Sequence, residues 1–479
     1  MAASDIRDAD PAAAAAPRDK SGGGRRRVLL ISYTFPPQYD VSARRATKLC
    51  KYLAAAGWQP VVLTKDWQRD IAPEDRRAYA ITSHPAAFDE IRGVEIIRAP
   101  YRTHDNVLRR VHERLGGVYE GTAAAATTET RARWTPSALA RRALSLLSPV
   151  FGNFPDAFRG WVQPAVRAGI EIVRRERIDV ICSLCPPASA HVVASGVARR
   201  TGVPWVAQFD DLYSFHLERQ ARAEWRPYTD WRHRRWMREA AFAGAITPAM
   251  LGYVWRTYGL EGDVVMVGFD SDDRPAARQT RGPRMRLAYT GSVYPGDQRP
   301  ELLFEALENL HADGTSPPIE VVFAGTGRDT ELRTMLEAFP NAARMCTFIE
   351  RLAPADALRL QREADALLLL NLTSPSPDEG TLSFPSKAFE YLNAGRPILA
   401  LPKDPGGWGD TLLETTGAGV TADSPPAGAA VLAGWLATWR EQGTVPYHGN
   451  ANEIERYSLS RQAETLASLL ERAVGRTAR

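Results

Sequence analysis

The chain has 479 residues, 44% hydrophobic and 24% charged, with a formal net charge of +4 and four cysteines. That length exceeds one ordinary domain, and that composition belongs to a folded, water-facing protein rather than a fibrous or disordered one. The small net charge names no polyanionic partner, no apolar run is long enough to span a bilayer, and four cysteines make no disulfide framework, so a cytosolic setting is expected.

Residues 1–26 are Ala, Pro, Gly and charge, with almost nothing to bury, and are expected as a disordered tail. An apolar strand at 28–32, a loop, a helix at 43–56 closed by Gly57 and a second apolar strand at 60–64 then form a βαβ unit. Apolar runs without alternation imply a parallel sheet covered on both faces. The rhythm recurs with strands at 94–98, 180–182, 205–209, 244–247 and 264–267, and helices at 162–176 and 190–200. The stretch 101–160 breaks it and reads as a helical insertion with a loop. Cys182 and Cys185 form a C-x-x-C with no second half to complete a metal site, and small residues at the end of a buried strand account for it.

A polar, Pro- and Arg-rich linker at 271–283 follows, and then a second series of strands at 286–290, 319–324, 346–349, 366–370, 397–401 and 419–421, with helices between. The fold class expected is therefore α/β, with two tandem Rossmann-like doubly wound domains, 27–270 and 284–450, facing across a cleft. Ligands bind in such crevices. Residues 451–479 read as a C-terminal helix packing back on the first domain.

Within the second series, SFPSKAFEYLNAGRPILAL at 383–401 has the layout of a phosphate-and-ribose site. Pro385 suits a first helical position, Ser386 and Lys387 bring free N–H groups and a cation to the positive end of the helix dipole, and Glu390 lies one turn on. A surface ion pair between Lys387 and Glu390 fits the same spacing. Gly291 with Ser292, and Gly325 to Gly327, follow strands as turns where backbone can approach a diphosphate; ordinary βα turns look alike. Arg299 is either a diphosphate cation or a solvated surface residue. Residues 219–238, RQARAEWRPYTDWRHRRWMR, combine seven arginines with three tryptophans and suit either an anionic membrane surface or an exposed helix face; 134–151 is a second amphipathic candidate. No recognition motif accompanies the basic patch, so nucleic acid is not expected.

In order and spacing, the segments at 30–64, PDAFRGWVQPA at 155–165, SLCPPASAH at 183–191, VPWVAQFDDLY at 203–213, AYTGSVYPGDQRP at 288–300, VFAGTG at 322–327 and FPSKAFEYLNAGRPILAL at 384–401 resemble GT-B glycosyltransferases. The likeness is to the family 4-like, retaining, nucleotide-sugar-dependent group, and nearest to bacterial enzymes of surface polysaccharides. The resemblance implies transfer of a sugar from a nucleotide donor, a UDP-sugar for preference, to a glycan or lipid-linked acceptor. Neither a metal nor another cofactor is implied, and the setting is the cytoplasm or the inner membrane face.

The resemblance makes Glu390 the acid that holds the ribose hydroxyls, and Lys387, Arg299, Gly291, Ser292, Gly325 and Ser383 donor contacts. Asp211 becomes the candidate catalytic acid of the first domain, orienting an acceptor hydroxyl; a capped strand end is the plainer reading. Arg44 and Arg45, at the start of the first helix, become acceptor-side or phosphate-side cations, or else face solvent. Three departures stand out. Leu382 replaces the donor-sugar acid, Asp210 replaces an arginine, and the loop at 35–39 lacks the usual glycine pair. Two other readings share the architecture: a nucleotide-sugar epimerase and a binding subunit without catalysis.

Overall fold

The computed structural model describes residues 25–38, 40–67, 91–101, 155–156, 158–212, 226–273, 282–294, 296–311, 317–372, 385–403 and 407–477. The calls on residues 1–24 of the tail, on most of the 101–160 insertion with its amphipathic stretch, and on Ser383 lie outside these residues, while Arg26 at the end of the expected tail already belongs to the first strand. So do residues 219–225 of the basic segment.

Two parallel sheets organise the chain. The first holds seven strands in the order β3-β2-β1-β4-β5-β6-β7: β1 (Arg26–Ile31), β2 (Trp58–Lys65), β3 (Glu95–Ala99), β4 (Val180–Cys185), β5 (Trp205–Phe209), β6 (Phe242–Ala245) and β7 (Gly262–Val264). The second holds six in the order β10-β9-β8-β11-β12-β13: β8 (Met285–Thr290), β9 (Ile319–Ala324), β10 (Cys346–Ile349), β11 (Ala366–Leu370), β12 (Ile398–Leu401) and β13 (Gly419–Thr421). Every pairing is parallel, so each strand must be reached by a crossover. Strand order reverses between β1 and β4 and again between β8 and β11. At those two switch points the flanking crossovers diverge and leave crevices beyond the carboxyl ends of the strands.

Both faces of each sheet are covered, which is why the strands read as unbroken apolar runs. In the first sheet, Leu29, Ile31 and Ile181 pack with helices Arg159–Glu176 and Ala188–Thr201 through Trp161, Ala165 and Val193. On the opposite face, Val28, Leu30 and Val180 meet Leu49 and Leu53 of helix Val41–Ala55, and Leu466, Leu469 and Leu470 of helix Leu459–Thr477. Cys182 belongs to that second cluster, while Cys185, three residues along the same strand, stands on the other side of the pleat. The second sheet is closed by helices Glu301–Leu310 and Pro425–Gln442 on one face and by Lys387–Ala394 and Trp408–Thr416 on the other.

Two chain crossings join the sheets and lie side by side. Phe269 forms a parallel bridge with Ser458: its N–H donates to Tyr457 O at 3.1 Å, and Leu459 N–H donates to its carbonyl at 2.7 Å. Asp270 at this crossing pairs with Lys48 and Lys51 and accepts from the Tyr52 hydroxyl. Burial works against its charge, but Lys48 and Tyr52 hold its carboxyl down at about 2. No described helix is long and apolar enough to cross a membrane.

Candidate active site

The crevice at the β8–β11 switch point gathers most of the residues singled out in the second sheet. β8 ends at Thr290 and the chain turns at Gly291, whose φ of 98° lies where an L side chain is strained. A Cβ there would sit 3.5 Å from Lys387 Nζ, an ordinary contact, so the backbone conformation rather than space calls for the glycine. Helix Lys387–Ala394 carries no side-chain cap; the N–H groups of Ala388 and Phe389 go to Pro385 and Ser386 carbonyls, at 3.0 and 3.2 Å. Its far end closes at Gly395 in the left-handed conformation.

Lys387 reaches back from this helix to the β8 turn. Its Nζ donates to the Tyr289 hydroxyl and, at 3.3 Å, to Ser292 O, and it lies 3.8 Å from the Tyr289 ring centroid. Tyr289 in turn donates to Ser292 O at 2.7 Å. Burial lowers the Lys387 ammonium to about 7, with Glu390 partly opposing that shift. A cation desolvated among uncharged partners is poised to gain from an arriving anion.

Glu390 follows one turn later. Its Oε2 accepts from Gln361 Nε2 at 3.2 Å, and the same amide donates to Thr290 Oγ1 at 2.9 Å. Thr290 N–H donates to the Tyr391 hydroxyl at 2.9 Å, fixing the helix to the strand end. From the first sheet, Arg44 Nη2 comes within 3.5 Å of Glu390 Oε1. The two cleft residues read separately from the sequence thus face each other across it, over a narrow cavity that Lys48, Asp270 and Asp273 also line.

Asp40 starts helix Val41–Ala55 by accepting from Ala43 N–H at 2.8 Å, which places Arg44 and Arg45 in the first turn, pointing apart. Arg45 turns inward and does not offer an open cation to an acceptor. Its side chain is 4% exposed, its Nε lies 2.6 Å from Asp210 Oδ2, and its Nη1 donates to Met266 O at 2.7 Å. The Asp210 carboxylate at the end of β5 thus has its counter-charge supplied by another helix. Asp210 also accepts from Gln208 Nε2 at 2.9 Å, yet burial keeps its carboxyl above the ordinary value, with Arg45 pulling the other way.

Asp211, next along, is half-buried, and its carbonyl receives the Cys185 thiol. Arg299 is half exposed and donates through Nε to Glu301 Oε1 at 2.9 Å; no described contact joins it to Lys387. Gly325 holds φ 72° beside Arg351, as a turn after β9 requires. Three supporting residues escaped the sequence reading: Gln361, Tyr289 and Tyr391. Only Tyr391 left a signal, since a hydroxylated aromatic on the buried face of an apolar helix needs a partner.

No protein-family model and no curated protein sequence matches the chain. Solved structures do. The N-terminal domain of Candida albicans trehalose-6-phosphate phosphatase aligns at a TM-score of 0.57 and 10% identity, covering 95% of this chain and 100% of that one. A glycosyltransferase from Rickettsia africae ESF-5 aligns at 0.51 and 10%, covering 95% and 97%. Anabaena HepE in complex with UDP aligns at 0.50 and 13%, covering 95% and 98%. At such identities the likeness is one of fold, and the fold is GT-B: two Rossmann-like domains facing across a cleft.

Proposed function

We propose that the protein is a glycosyltransferase that moves a sugar from a nucleotide donor, a UDP-sugar for preference, to a glycan or lipid-linked acceptor with retention at the anomeric carbon. One observation carries this reading. A desolvated lysine and a carboxylate one turn apart stand at the start of one helix, at the switch point of the second sheet, opposite an arginine from the first. The fold shared with a UDP-bound protein and a glycosyltransferase supports it.

In this reading Lys387 takes the diphosphate, where charge grows as the nucleotide departs, and Glu390 accepts from the ribose hydroxyls. Gly291 and Gly325 let backbone approach the same phosphates. Asp211 orients the acceptor hydroxyl from the first sheet, and the cleft holds the two substrates in line. With no protein nucleophile assigned, the chemistry rests on position and electrostatics.

Isothermal titration of UDP against wild type and Glu390→Ala tests the donor side. Wild type should bind, and the variant should lose about tenfold, the worth of one or two hydrogen bonds to a charged acceptor. Absence of wild-type binding would end the transferase reading; equal binding by the variant would end the ribose assignment. Sugar transfer that stops without acceptor, followed by the anomeric configuration of the product, tests transfer and retention separately.

Lys387 also predicts a pH dependence. Below about 7 it is a cation in the free protein, and a bound diphosphate raises its value further. Affinity for a UDP-sugar should therefore be flat below pH 6.5 and fall as pH rises through 7 to 9, by up to about tenfold per unit. A UDP-sugar is the right probe, because its phosphodiesters do not titrate in this range as a terminal phosphate does. A flat profile would remove Lys387 from the phosphate site.

A further inference from the structure

We propose that the first sheet carries a second anion site, away from the cleft, that takes a phosphate-bearing organic ligand. A cavity of about 460 Å³ opens between helices Arg159–Glu176, Ala188–Thr201 and Arg226–Met237. It shares no lining residue with the cavity between the sheets, and nothing in the transferase reading depends on it.

Four arginines line this hollow. Arg199 and Arg200 come from the last turn of the second helix, and Arg235 and Arg238 from the end of the third. All four are exposed, and Glu239 is the one carboxylate beside them among the described residues. Arg200 donates to Gly196 O at 2.9 Å, and among the described residues no ion pair joins any of the four to a carboxylate.

Helix dipoles favour a cation at each of these helix ends, which explains basic residues locally. They give no reason to bring both ends to one hollow with a single acid. Guanidiniums gathered in a concavity repel one another and focus a positive potential, and an anion relieves the repulsion. Planar forks match the oxygens of a phosphate group bidentately, which a point charge does not.

The floor of the cavity narrows the ligand class. Val162 and Val166 form one wall and Trp236 another, so carbon as well as charge is accommodated, and the volume lies in the range of small organic ligands. A soluble phosphate ester and the headgroup of an anionic lipid share this chemistry. On the neighbouring helix Pro248–Tyr258, Trp255 is 52% exposed, as a ring at a membrane surface would be.

The test uses the full chain carrying Lys387→Met, which removes the phosphate contact proposed for the cleft, with and without Arg199→Ala, Arg235→Ala and Arg238→Ala. Calorimetry with sn-glycerol 3-phosphate probes the soluble source. Co-sedimentation with phosphatidylglycerol vesicles, against phosphatidylcholine vesicles, probes the lipid source. The triple substitution should weaken at least one phosphate probe by about tenfold or more, as loss of charge-assisted contacts implies. Its thermal midpoint should be kept. Loss with glycerol phosphate alone assigns a soluble ester, and loss with anionic vesicles assigns a lipid headgroup. The site is overturned if the Lys387→Met chain binds neither probe, or if the arginine variant binds both as well as that chain does. Where the triple variant does not fold, Arg235→Gln alone serves the same comparison with a smaller loss.

Discussion

Arg45→Ala should lower the unfolding free energy by about 3–5 kcal/mol, because it leaves the Asp210 carboxylate without its counter-charge in the interior. The pair is held at 2.6 Å, and the two side chains are 4% and 13% exposed. Met266 O loses the Arg45 donor in the same step, while Val265 O loses Arg45 but keeps Gln208 Nε2. The sign of the pH effect follows from Asp210. Burial already lifts its carboxyl above the ordinary value near 3.8, and loss of Arg45 lifts it further. An acid whose folded value exceeds its unfolded one costs more stability as pH rises between the two. The deficit should therefore be smallest near pH 4 and grow toward neutrality, as chemical denaturation at several pH values would show. A double variant, Arg45→Met with Asp210→Leu, should recover much of the loss, since apolar replacement of a buried pair is often neutral. If Arg45→Ala unfolds at the wild-type midpoint, the interior role of this arginine is wrong.

Lys387→Met should move binding and stability in opposite directions. Binding of a nucleoside diphosphate should weaken by about 10- to 100-fold at pH 6.5, as loss of charge-assisted hydrogen bonds of about 1.5–3 kcal/mol implies. The free protein should become more stable. Lys387 falls from its ordinary 10.5 to about 7 on folding, so folding penalises its charged form. That penalty is complete below about 7, shrinks as pH rises, and vanishes toward 10.5. The gain in thermal midpoint should follow the same course, larger at pH 6.5 than at pH 9. A lysine that merely decorated the surface would move neither quantity. A destabilised variant would mean that the contacts to Tyr289 and Ser292 outweigh the burial of charge.

The sheets were legible from sequence because an apolar run of four to six residues closed by a turn leaves little choice in an α/β chain. Boundaries moved where strands are short: β6 and β7 each begin two residues before their expected places, and β7, at the sheet edge, is three residues long. Helix Lys387–Ala394 was legible because Pro385 and Gly395 punctuate it. What the sequence left open was partnership between distant segments. Lys387 and Glu390 could be read as a pair, but neither Arg44 opposite Glu390 nor Tyr289 beneath Lys387 has a local signature. Arg45 and Asp210 each looked like a cleft residue, and only the fold turns them toward each other. Arg299 is the converse, since Glu301 two residues on supplies a partner in sequence as it does in space.

Helix Leu459–Thr477 places Leu466, Leu469 and Leu470 under Val28, Leu30 and Val180, so the cover of one face of the first sheet is completed by a helix made after the second sheet. On the ribosome this has a temporal meaning. The strands β1 to β7 emerge early with one side covered only in part, by helix Val41–Ala55, and the rest must wait while the entire second sheet is synthesised, which exposes it to premature association. The second sheet has no such debt and can fold as soon as it emerges. The order of completion should therefore invert the order of synthesis, with the second sheet finished before the one that precedes it in the chain.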